Sequence, residues 1–255
     1  MQGLVEFLEN GSVVAFILLF FRFGGLFISA PIFSHATIPI KLKASMAFFF
    51  TIVFYASLPP LEVELNVASV VLAILSEMLF GLVIGLALQI AYNVITFAGG
   101  IISYMMGFSM ATAIDPQNGV SMPIVSQFLS LIALMILFTL NLHHWLILYI
   151  NESLTHVPLG GFLLTHDIIH YTIYASKDMF LVGFMIAFPI VALILLSDVI
   201  FGMIMKTMPQ FNLLVIGFPI KIGISFVVLI AIIASAMSIF KAEILQSFNN
   251  LEMFF

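Results

Sequence analysis

The chain has 255 residues, of which 63% are hydrophobic and only 7% charged, with a net charge of −5. Ordinary soluble domains carry about 25% charged residues, so a water-soluble fold is excluded and an integral membrane protein remains. Seven basic residues without a cluster exclude a nucleic-acid surface, and the lack of cysteine excludes disulfides, thiolate metal sites and a cysteine nucleophile.

The N-terminus, MQGLVEFLEN, is acidic where a signal peptide is basic, so the first apolar run is expected to be a retained span. That run is Val13 to Phe33, with Arg22 inside it. A polar link from Ser34 to Lys43 follows, and then a second run, Ala44 to Leu58, closed by Pro59 and Pro60. Glu62 and Glu64 lie in the next link. From Leu65 to Ile114 Glu77 is the single charge, over a stretch too long for one span and too short for three. A split near Tyr92 to Gly100 is expected. After a turn at Asp115 to Ser121 an apolar run extends from Pro123 to Ile150, interrupted late by Asn141, His143 and His144. Asn151 to Asp178 reads as the longest polar region. Two more runs, Met179 to Met205 and Ile222 to Phe240, flank a link from Lys206 to Lys221. All runs are expected to be helical, because a lone helix satisfies its own backbone in lipid. Their length and unbroken apolarity exclude a β-barrel. The fold class is therefore all-α, an integral membrane protein of helical hairpins. It divides into N-terminal helices (1–92), a central broken or re-entrant segment (93–123), a helix with a polar loop (124–178) and a C-terminal hairpin (179–255).

Basic residues near span ends set orientation. Lys41 and Lys43 place the first link in the cytoplasm, and Lys206 and Lys221 place the last link there. Counting crossings then puts both ends of Val94–Pro123 on one side. Within that segment Gly99, Ser103, Gly107 and Ala111 recur every fourth residue, a smooth stripe for close helix packing. Gly81 and Gly85 form a second small-residue pair of this kind. Met105, Met106, Phe108 and Met110 lie beside the first stripe. Methionine is unbranched and adapts to irregular surfaces, so the group suits either a core or a soft seal. The polar tip from Asp115 needs protein or water around it.

Arg22, Glu77 and Asp198 are charges inside apolar runs, and each is expected to be buried against protein or water. Buried pairing between helices or subunits is the plain reading and an ion path the functional one. His143 and His144 beside Trp145 fit an interfacial belt. His166 and His170 have a spacing that can bind zinc, with Asp167 or His156 the nearest third ligand. A solvated helix is the plainer reading, and no metal site is assigned. Nucleophile, base and orienting group do not occur together, so no enzyme activity, catalytic residue or cofactor is expected. A small-molecule secondary transporter is the alternative, but such proteins show two repeated halves with matching broken helices, and here one half has the break.

Four blocks carry a resemblance. They are Arg22 with APIFSHATIPIKLKASMA (Ala30–Ala47); AGGIISYMMGFSMATAIDPQ with Met122 and Pro123; Asn141–Trp145 with Ser153, Pro158 and Gly160; and MPQFNLLVIGFPIKIG (Met208–Gly223). In order and spacing they resemble the FliR family of bacterial flagellar type III export gates, whose architecture injectisome relatives share. One departure is Leu142, where the family often has glycine. The resemblance implies a structural and gating subunit in the inner membrane, at the flagellar basal body, beside FliP-like, FliQ-like and FlhB-like subunits and membrane lipid. Exported flagellar proteins would be the cargo. It implies a C-terminal hairpin similar to FliQ. It also implies a pore plug over Met106–Met122, sealed by Met105, Met106, Phe108, Met110, Ile114, Asp115, Pro116 and Met122.

Overall fold

The computed structural model describes residues 11–35, 38–56, 58, 66–108, 123–208, 210 and 212–254. Among these, all regular structure is helical. The helices are α1 (Gly11–Ser29), α2 (Ile40–Tyr55), α3 (Val67–Met106), α4 (Ile124–Thr139), α5 (Leu142–His156), α6 (His166–Thr207) and α7 (Phe218–Asn249). A π-helical turn, Leu213–Gly217, precedes α7, and a 3-10 turn, Asn250–Phe254, follows it. Three of the helical stretches are long and apolar enough to cross a membrane, and α4 with α5 forms a broken fourth candidate.

The split expected near Tyr92–Gly100 is absent. α3 runs unbroken for 40 residues, about 60 Å at 1.5 Å per residue, twice the roughly 30 Å of a bilayer's hydrocarbon core. Gly99 and Gly100 each cost a helix about 1 kcal/mol against alanine, too little to break one that tertiary packing supports, and no proline interrupts it. The polar region expected over Asn151–Asp178 is mostly helix too. α5 continues to His156 and α6 starts at His166, leaving 157–165 as the connection. Hydropathy alone does not separate a polar helix from a loop. Asp167, in the first turn of α6, lies where a carboxylate favours the helix dipole.

The chain forms two compact units. The first comprises 1–90, 137–173 and 246–255. Its α1 and α2 meet through an aromatic cluster in which Phe23 stacks on Phe50 and Phe54 at 5.9 and 5.7 Å, and Phe27 meets Phe33 edge-on at 4.7 Å. Phe23 and Phe27 are fully buried. α5 is fixed to the chain's C-terminal turn, where the Tyr149 hydroxyl donates to the Leu251 carbonyl and the Tyr149 ring packs on Phe248. The break before α5 is a tight turn at Asn141, which has φ of 55°. Asparagine is one of the few residues besides glycine that enter this left-handed region routinely, so Leu142 does not prevent the turn. The second unit comprises 91–136 and 174–245. Here the Phe97 ring meets Phe180 at 5.0 Å, the Tyr92 ring meets Phe240 at 6.2 Å, and the Tyr92 hydroxyl donates to the Ser130 carbonyl at 2.9 Å.

Candidate functional site

Three places hold the residues singled out by sequence. The first lies in the first unit, at the crossing of α1 and α3. Gly25, Gly81 and Gly85 let the two backbones touch. A Cβ on Gly81 would collide with the Arg22 carbonyl, one on Gly25 with the Met78 carbonyl, and one on Gly85 with the Ser29 hydroxyl. Arg22 and Glu77 sit one turn before these glycines on their respective helices, and close approach brings their side chains together. Both are fully buried. The guanidinium grips the carboxylate with two nitrogens, Nε on Oε2 and Nη2 on Oε1, the latter at 3.0 Å. Two more of its N–H groups reach the Ser153 hydroxyl at 2.9 Å and the Val157 carbonyl at 3.1 Å. The Gly160 N–H donates to Glu77 Oε1 at 2.6 Å. Phe80 closes one side, its ring centroid 4.6 Å from the guanidinium carbon. Gly160 has φ of 81°, which glycine adopts freely and which aims its N–H at the carboxylate. The pair thus fastens the turn after α5 to α1 and α3. A buried pair is tolerated only when its other hydrogen-bonding groups are also satisfied, and here the chain itself satisfies them. Sequence reading marked Arg22 and Glu77 but gave no role to Ser153, Gly160 or Gly25. The spacing Arg22-x-x-Gly25 and Glu77-x-x-x-Gly81 was the available signal.

The second place lies in the second unit, where the end of α3 meets the start of α4. A Cβ on Gly99 would lie 2.5 Å from the Ser126 Cα. The Ser126 hydroxyl donates to the Thr96 carbonyl at 2.7 Å, and the buried Ser103 hydroxyl accepts from the Val125 N–H at 3.2 Å. Gly107 does not extend this stripe. It has φ of 88° and ends the helix, its N–H bonding the Tyr104 carbonyl while the Phe108 N–H bonds the Ser103 carbonyl. That hydrogen-bond pair is a Schellman C-cap. Met106 is fully buried, Met105 is half-buried, and the half-buried Phe108 ring meets Phe226 at 6.4 Å. Met110, Ala111, Ile114, Asp115, Pro116 and Met122, with the turn from Asp115 to Ser121, lie outside the described residues, as do Glu62 and Glu64.

The third place joins α6 and α7. Asp198, expected to be buried, is exposed, its side chain 46% accessible. It is paired, with Lys221 Nζ at 2.8 Å from Oδ1 and 2.9 Å from Oδ2. Lys221 therefore does not belong to the link, as its place in the orientation argument assumed. It lies within the helical hairpin and is neutralised there, so Lys206 alone speaks for the side of that link. His166 and His170 approach with Nε2 atoms 2.7 Å apart on the exposed first turns of α6. Among the described residues no group of three potential metal ligands forms.

Comparison with known proteins places this architecture. The model of the bacterial export proteins, family 1, matches residues 13–247. The chain is 32% identical over 220 residues to the flagellar biosynthetic protein FliR of Bacillus subtilis, covering 85% of each chain. It is 31% identical to that of Escherichia coli, covering 77% of this chain and 76% of the relative. Against the FliR of Buchnera aphidicola subsp. Baizongia pistaciae the identity is 27%, over 98% of this chain and 96% of the other. The chain belongs to the bacterial export proteins, family 1, within the FliR family of flagellar biosynthetic proteins.

Proposed function

We propose that this chain is a structural and gating subunit of the flagellar protein-export channel of the bacterial inner membrane. It assembles there with FliP-like, FliQ-like and FlhB-like membrane subunits at the basal body and passes unfolded flagellar proteins. The segment from Met106 to Met122 seals the closed pore. The observation that carries this reading is the geometry at the two ends of that segment. α3 stops at the Gly107 cap, α4 restarts at Ile124, and Ser103 on one is hydrogen-bonded to Val125 on the other. A chain that leaves and returns at one point can occlude an opening and withdraw without disturbing either helix. The sealing residues are Met105, Met106, Phe108, Met110, Ile114, Asp115, Pro116 and Met122, of which Met106 is fully buried within the chain and anchors the base of the segment.

Assembly with partners is supported by what the helices leave uncovered. In the most apolar windows of α3, α6 and α7 only 28%, 33% and 22% of residues are buried within the chain. α3 and α6, 40 and 42 residues long and so about 60 Å each, also extend beyond what one bilayer covers, and neighbouring subunits would cover the remainder. Deleting Ala111–Gly119 should raise small-ion conductance of membranes containing the chain and its partners, with assembly intact. Wild-type conductance from a normally assembled deletion would refute the plug.

A further inference from the structure

The Asp198–Lys221 pair is incomplete as the chain stands. Asp198 lies eight residues before Lys206 on α6, about 12 Å along the helix axis. With the Lys206 ammonium at the edge of a hydrocarbon layer about 30 Å thick, Asp198 lies close to its middle. The neighbouring surface suits lipid or protein and not water: Leu195, Leu196, Val199 and Ile200 are 52, 56, 62 and 47% exposed. A half-exposed carboxylate among such residues is costly in hydrocarbon. Lys221 does not relieve this by reaching the headgroups, because its side chain is only 14% accessible and its ammonium is held on Asp198.

A carboxylate offers about four acceptor sites, and one ammonium uses one side of this one. The pair is electrically neutral, so a further charge would itself need neutralising. A neutral donor completes the site without that penalty. We propose that the face of α6 around Asp198 docks an apolar helix of a partner membrane subunit, one that donates a hydroxyl or side-chain amide hydrogen bond to the open side of the Asp198 carboxylate. This rests on the proposed multisubunit assembly only in requiring that a partner exist.

The experiment co-expresses the full chain with its partner membrane subunits, isolates it in mild detergent and quantifies the subunits it retains. The exchange variant D198K/K221D keeps opposite charges on α6 and α7 but replaces the short acceptor at position 198 with a longer ammonium, which accepts no hydrogen bond and needs more room against a docked helix. Its thermal transition should match the wild type, while retained partner falls roughly tenfold, as expected for losing an interhelical hydrogen bond and gaining a buried mismatch. Wild-type partner recovery by the exchange variant overturns the inference, because the pair then serves only the hairpin. A wild-type chain that retains no subunit overturns the assembly reading instead. A photoreactive residue at Val199 in the otherwise native chain gives a second readout. A cross-link to a co-expressed subunit supports the docking surface, and an adduct with lipid alone overturns it.

Discussion

Two ion pairs among the described residues have the same elements and opposite surroundings. Each joins a basic and an acidic side chain across two helices, within runs that are otherwise apolar. Around Arg22 and Glu77 the chain supplies everything: a bidentate grip, a serine, a carbonyl, a glycine N–H and an aromatic ring, with no exposure on either side chain. Around Lys221 and Asp198 it supplies the partner charge and leaves the carboxylate half open. The first pair is finished within the chain and holds three elements of one unit together. The second is finished only by something outside the chain. Buried polarity thus marks structure where the chain closes it, and a surface for others where it does not.

The largest expected effect comes from breaking the closed pair on one side. Glu77→Leu leaves the Arg22 guanidinium buried without its carboxylate, which costs about 3–5 kcal/mol. The double variant R22M/E77L removes both charges and should recover most of that loss, since a buried pair often exchanges for apolar residues of similar volume at little cost. Thermal unfolding in mild detergent measures both. A single variant within about 1 kcal/mol of the native chain would show that the network contributes little.

Next in size is the close helix approach that brings the pair together. Gly81→Ala places a Cβ against the backbone of Arg22, Gly25 and Leu26. Backbone atoms do not swing away as side-chain ends do, so α1 and α3 must separate, at about 1–3 kcal/mol for overpacking. Gly24→Ala is the control, because a Cβ there meets nothing within 4 Å and helix propensity favours alanine by about 1 kcal/mol. Equal effects of the two substitutions on the unfolding temperature would remove the interlock from the account.

Sequence and structure part company where long-range pairing decides. Helical class and multiple apolar spans were legible, because composition and run length carry them directly. The partners of Arg22 were not, since Glu77 lies 55 residues away and Ser153 131 residues away. Lys221 was misread as part of a loop because a lysine near the end of an apolar run looks like an interfacial anchor; its carboxylate partner lies 23 residues earlier on the other arm of the hairpin. Gly107 fits a four-residue stripe perfectly well on paper. Its positive φ, a property of how the helix ends, assigns it to the cap instead. The unbroken α3 shows the limit of reasoning from span length, since a helix covered partly by protein need not match a bilayer.

The smallest expected effect is the one that separates the two pairs most sharply. Asp198→Asn in the isolated chain removes one charge from a half-exposed pair. The carboxamide oxygen still accepts from the Lys221 ammonium, so the loss is expected to stay within the range of a half-exposed pair, about 0–1 kcal/mol. Lys221 also keeps its ammonium over the Phe218 ring, whose centroid lies 5.9 Å from Nζ. The carboxamide preserves the volume of the side chain, so no cavity adds to the loss. Thermal unfolding of D198N should therefore fall within about 1 kcal/mol of wild type, well short of the Glu77→Leu loss measured in the same detergent. A loss as large as that of Glu77→Leu would mean that Asp198 clamps α6 to α7 as firmly as Glu77 clamps α1 to α3. The two pairs would then be alike in function, and exposure would no longer distinguish a finished site from an open one.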